Sequence, residues 1–133
     1  MPSKRRDARV RGSALACGVD VVELARLAQA IRRGGNAFMR RIFTVHETAY
    51  ARARKRTTLQ HLAGRFAAKE AVIKALAQVD PQHVPAMNQI EIRNDRHGRP
   101  SVVLMDRRRR RVKIHVSLSH VDTVAVASAI VTR

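Results

Sequence analysis

The chain has 133 residues, with 27 Lys and Arg against 10 Asp and Glu, a formal charge of +17. An apolar fraction of 45% excludes a disordered chain, and the length allows one domain. A single cysteine excludes a disulfide framework and a cysteine-rich zinc site, and no apolar run approaches the roughly 20 residues of a membrane-spanning helix. Aromatics, at 3%, argue against stacking on single-stranded nucleic acid. Such a charge attracts polyanions: nucleic acid, phosphorylated small molecules or an acidic protein. Cysteine usage and the lack of a secretory apolar segment fit a reducing, cytoplasmic setting.

In chain order, residues 1–12 read as a flexible basic arm and 13–133 as a single domain. The run 14–22 is apolar and valine-rich and reads as a buried strand, interrupted by Gly18 and Asp20. A basic helix is expected over 23–33, stopped by Gly34 and Gly35, with a short helix around Phe38 and Ile42 after it. Thr44 with Glu47 has the spacing of a capping box and opens a helix to about Arg54. The longest helix is expected over 59–78, ended by Asp80-Pro81. Strands follow at 89–94, 101–105, 112–119 and 123–131, with His97-Gly98 as a hairpin turn. The order of strand, helices and antiparallel meander implies an α+β fold.

Two carboxylates interrupt this apolar pattern. On the long helix, at roughly 100° per residue, Leu59, Leu62, Phe66, Ile73 and Leu76 share one stripe. Lys69 falls in its middle and Glu70 towards one side. One reading is an internal ion pair or a snorkelling lysine. The other joins Arg65, Lys69 and Lys74 to Glu70 as a phosphate site with one metal ligand. Asp20 either caps the following helix or meets Glu70 in space. In the second case the two would share one Mg²⁺, which takes one or two protein carboxylates and fills its shell with water and phosphate oxygens. Ser117, Ser119 and His120 end a strand and can hydrogen-bond a phosphate. A serine nucleophile with its base is disfavoured, because no third orienting group accompanies them.

The motifs G-V-D-V-V-E-L at 18–24, R-I-F-T at 41–44 and L-A-G-R-F-A-A-K-E-A-V-I-K-A-L at 62–76 resemble those of the holo-acyl-carrier-protein synthases, the AcpS-type 4′-phosphopantetheinyl transferases. The segments I-E-I-R-N-D at 90–95, G-R-P at 98–100 and K-I-H-V-S-L-S-H at 113–120 extend the likeness over about 16–131. The resemblance implies transfer of 4′-phosphopantetheine from coenzyme A to a serine hydroxyl of an acyl carrier protein, with release of 3′,5′-ADP. It makes Asp20 and Glu70 the ligands of Mg²⁺ and, with Lys74, the catalytic group. It assigns Arg65, Lys69, Lys74, Ser119 and His120 to the phosphates of coenzyme A. It places Arg26, Arg32 and Arg33 against the acidic carrier, and it implies a homotrimer with sites between subunits.

The sequence departs from the family at three places, one of them Val121 after His120, where some relatives carry an acidic or hydroxyl residue. Ala77, Gln78 and Val79 stand where a G-T-G-like turn is usual, and an arginine-rich stretch over 105–112 replaces a helix. These departures keep a second reading open, a relative that binds coenzyme A or the carrier without turnover. A third reading, a basic nucleic-acid-binding protein, rests on charge alone. No zinc-finger spacing, basic-zipper heptad or aromatic RNA-recognition pattern accompanies it.

Overall fold

In a computed structural model the described residues are 15–107 and 111–133. The proposed arm at 1–12 and most of the arginine run 107–111 therefore lie outside the described residues.

Strand β1 (Leu15–Glu23) alternates strictly: Ala16, Asp20 and Val22 face inward, and Leu15, Val19 and Val21 face outward. Helix α1 (Leu24–Ile42) follows, then α2 (Val45–Arg52), then the central helix α3 (Thr58–Val79). Strands β2 (Ile90–Asn94) and β3 (Pro100–Leu104) form a hairpin. Strands β4 (Lys113–His120) and β5 (Val124–Thr132) form a second hairpin, to which β1 adds on the far side of β5.

The four later strands are thus not one meander. The three-stranded sheet runs β1-β5-β4, antiparallel throughout, and β2-β3 stands as a separate two-stranded sheet. The reason lies in β5. Ala125, Ala127, Ala129 and Val131 are all buried, which marks β5 as the central strand under a helix, with a neighbour on each edge.

Helix α3 lies across that sheet. It presents Ala63, Ala67, Ala68, Ala71 and Ala75, all without exposure, so small side chains meet small side chains. At Gly18 the approach is closest. A Cβ there would sit 2.0 Å from the Ala71 carbonyl oxygen, so only glycine lets β1 and α3 touch. That contact carries Asp20 alongside the C-terminal half of α3.

The glycine stop expected at 34–35 is a break rather than an end. Gly35 takes φ +56°, ψ −146°, and the two halves of α1 continue on either side of it. The capping box at Thr44 is formed: Thr44 Oγ1 accepts from the Glu47 amide at 3.2 Å, and Glu47 Oε1 accepts from the Thr44 amide at 2.9 Å. Gly98, at φ +78°, turns the β2–β3 hairpin.

Candidate active site

Asp20 does not cap α1. The cap position is Glu23, without a side-chain cap bond, and Asp20 lies three residues earlier, inside β1. Its inward direction brings it to the same cavity as Glu70. This cavity, about 370 Å³, has Arg26, Leu27, Phe38 and Phe66 among its other walls. Across the break at Gly35, both Leu27 and Phe38 of α1 line this cavity.

Lys74 is not among the lining residues but reaches Asp20 from α3. Its Nζ donates to Asp20 Oδ1 at 3.1 Å and to the Val19 carbonyl at 3.0 Å. Burial pushes the Glu70 carboxyl above its ordinary value, the Asp20 charge pushes it further, and Lys74 opposes both. Two carboxylates that repel each other across one cavity are a fit for a divalent cation, which relieves the repulsion. No group of three or more metal-ligating side chains occurs among the described residues. A cation here would therefore complete its shell with water and ligand oxygens, which is the habit of Mg²⁺.

A second cavity, about 170 Å³, opens on the other side of α3. Its walls include His61 and Arg65 from α3, Asn94 and Gly98 from the β2–β3 hairpin, and His120 from the end of β4. Arg65 is 4% exposed. Its Nη2 donates to Asn94 Oδ1 at 3.0 Å, and its buried Nε has no hydrogen-bond partner. The guanidinium stacks 4.0 Å from the Tyr50 ring centre, and Arg54 stacks on the same ring at 3.4 Å. Burial lowers the Arg65 pKa, against Tyr50 and Glu47, but a guanidinium stays cationic in proteins. A buried cation with an unused donor at the wall of a polar cavity is suited to an anion.

Two sequence expectations need correction. Lys69 does not face any phosphate site: its side chain has no exposure, and its Nζ donates to Glu47 Oε1 and to the Ile42 carbonyl. The internal ion pair is what the fold builds, because Lys69 lies on the stripe that α3 turns towards α2. Ser119 does not share a site with His120 inside one subunit. Successive strand residues point to opposite faces, so Ser117 and Ser119 line a separate depression of about 140 Å³ with Ser128. His120 joins Arg65 instead.

The three arginines assigned to docking are exposed on α1, and only Arg26 also lines the Asp20–Glu70 cavity. Sequence reasoning missed His61, Phe38 and Asn94 as lining residues. For His61 a signal existed, since it precedes Arg65 by four residues and so shares its helix face. The burial of Glu47 had no such signal. Read only as a capping residue, it also accepts from the Ile92 amide at 2.8 Å.

Residues 16–130 match the 4′-phosphopantetheinyl transferase superfamily. The chain is 40% identical over 119 residues to the holo-[acyl-carrier-protein] synthase of Protochlamydia amoebophila, covering 87% of this chain and 96% of the relative. It is 41% identical over 123 residues to that of Moorella thermoacetica, covering 88% and 93%. Among solved structures, a Chronobacterium ammoniagenes ACPS–CoA complex superposes with TM-score 0.76 at 30% identity, covering 89% of this chain and 96% of that one. A Bacillus anthracis holo-(acyl-carrier-protein) synthase in complex with CoA (3′,5′-ADP) gives 0.71 at 31% identity, covering 88% and 95%.

Proposed function

Since the chain belongs to the 4′-phosphopantetheinyl transferase superfamily, among the holo-[acyl-carrier-protein] synthases, we propose that it moves 4′-phosphopantetheine from coenzyme A to a serine hydroxyl of an acidic acyl carrier protein. The observation that carries this reading is that Asp20 and Glu70 line one cavity while Lys74 is ion-paired with Asp20 beside it.

The serine hydroxyl gives up its proton to solvent water as its oxygen bonds to the phosphorus that bears pantetheine. The bond from that phosphorus to the bridging oxygen breaks, and 3′,5′-ADP leaves with the electron pair. Asp20 and Glu70 would hold Mg²⁺, which supplies charge neutralisation for the pyrophosphate. Lys74, held by Asp20 and the Val19 carbonyl, keeps a cation at the rim where negative charge develops. Phe38, Phe66 and Leu27 offer an apolar wall that excludes water from the reacting phosphate. Arg65 and His120 would hold the nucleotide's phosphate in the second cavity. Arg26, Arg32 and Arg33, each exposed on α1, would offer the surface for the acidic carrier.

A homotrimer is part of the proposal. The outer face of the three-stranded sheet leaves Leu15, Val19, Val21 and Ile130 between 47% and 68% exposed, an apolar surface that calls for cover. Ser119 lies on that face and would belong to the subunit boundary. No helix among the described residues is long and apolar enough to cross a membrane, and the proposed setting is the cytoplasm.

The experiment is mass spectrometry of an apo-carrier incubated with the protein, coenzyme A and Mg²⁺. The expected result is a carrier heavier by one phosphopantetheine, with the rate falling at least a hundredfold for Glu70→Gln. Binding of coenzyme A without any mass change would overturn transfer, and an unaltered rate in the variant would overturn the metal assignment.

A further inference from the structure

The second cavity holds more cationic chemistry than Arg65 alone. His61 lies one turn before Arg65 on α3, and both line the cavity together with His120 from β4. Every ionisable side chain on this wall is a base: His61, Arg65 and His120. His61 is fixed in place by the Tyr50 ring, which meets it edge to face with centroids 5.5 Å apart. The charged and titratable groups around His61 are Arg65 on its own helix, Tyr50 on α2, Arg54 just after α2, and His120 on β4.

We propose that His61 is a further phosphate-binding residue: with Arg65 and His120 it encloses the 3′-phosphomonoester of coenzyme A, and binding there is coupled to protonation of its imidazole. The inference rests on the proposed use of coenzyme A and adds to it one residue and one proton.

The electrostatics support the coupling. Burial, then the charges of Arg65 and Arg54 and the proximity of His120, hold the His61 pKa below its ordinary 6.5, so the imidazole is neutral at pH 7 in the empty protein. A dianion placed between these groups reverses the sign of the local field and raises that pKa. A phosphomonoester has a second ionisation near pH ~6 and so carries close to two charges at pH 7. The pyrophosphate of coenzyme A is esterified at both ends and lacks that ionisation. Uptake by the His61 imidazole is therefore tied to the presence of the 3′-phosphate. Uptake is confined to the window between the lowered pKa of the empty site and the raised pKa of the filled one. Below the window His61 is already charged, and above it the imidazole stays neutral with the ligand bound.

The test is calorimetric titration of the carrier-free protein with coenzyme A and with 3′-dephospho-coenzyme A at pH 7, in buffers of different ionisation enthalpy. Wild type is expected to take up a fraction of a proton with coenzyme A and none with the dephospho compound. His61→Gln should lose the uptake and bind coenzyme A about tenfold to a hundredfold more weakly, the scale of one lost hydrogen bond to a charged group. Its affinity for dephospho-coenzyme A should stay unchanged. His61→Phe, which keeps a ring against Tyr50, should behave as His61→Gln does and guards against a folding defect. Coenzyme A affinity and proton uptake within twofold of wild type in both variants would overturn the inference. So would equal losses for both compounds, which mark a structural role. A wild-type protein that binds neither compound would overturn the coenzyme A reading itself, and this inference with it.

Discussion

Lys69 and Lys74 sit five residues apart on the same helix, each beside a carboxylate, and they serve different ends. Lys69 has no exposure, and neither has its partner Glu47. Glu47 also accepts the Thr44 and Ile92 amides, so this pair ties α1's end, α2, α3 and β2 at one point. Burial lowers the Lys69 pKa and the Glu47 charge opposes that shift, so the pair persists only because its partners are complete. Lys74 is half exposed and its partner Asp20 lies at the rim of an open cavity. An ion pair sealed from water holds elements together. One that opens to a cavity keeps its charges available to a ligand.

The largest test of that contrast is Lys69→Met. It strands the Glu47 carboxylate in the core, and breaking a buried pair in this way costs about 3–5 kcal/mol. Thermal unfolding should shift down by roughly 10 °C or more. The double variant Lys69→Met with Glu47→Leu should regain only part of the loss, because no unpaired charge remains but the Ile92 and Thr44 amides lose their acceptor. A single variant within about 1 kcal/mol of wild type in urea unfolding would break the contrast from the buried side. The next effect is on rate. Lys74→Met removes a cation from the rim, and the carrier-modification rate should fall about a hundredfold, the scale of one lost charge-stabilising donor. An unchanged rate in a folded protein would break the contrast from the open side.

Much of this contrast was readable in the chain, but not all. The apolar stripe of α3 showed Lys69 among core positions, and the strand pattern showed Asp20 in an apolar run. Both are violations of local patterning, which is where function or a special contact is expected. What the pattern withheld was the partner. Glu47 occupies a capping position that reads as exposed, and only the packing of α2 on α3 turns it inward. The helices and strands followed from period and caps, and the Thr44 box is formed as spaced. The order β1-β5-β4 did not follow, because pairing partners are set by which strand is small enough to lie beneath α3, a tertiary matter. Ser119 and His120 are adjacent in sequence, and the resemblance assigns both to one phosphate site. The strand's alternation separates them, a consequence of period 2 that is available from the sequence alone.

The smallest effect separates the two lysines by salt. Raising ionic strength from 0.1 M to 1 M shortens the screening length from about 10 Å to about 3 Å. Exposed charges lose most of their interaction under that change, and buried ones keep it. The chain carries +17, so removing the Lys74 cation also relieves some repulsion among the remaining basic residues. That relief offsets the lost pair with Asp20, and the net destabilisation of Lys74→Met at low salt should be at most about 1 kcal/mol. At high salt both contributions fade, and the variant should match wild type. The deficit of Lys69→Met should instead persist undiminished, since its origin is a carboxylate shut away from solvent and ions. Urea unfolding at both salt concentrations measures this, because urea adds no ions of its own. A Lys69→Met deficit that shrinks by half in 1 M salt would mean that water and ions reach the Glu47 pair, and that the two lysines differ in degree rather than in kind.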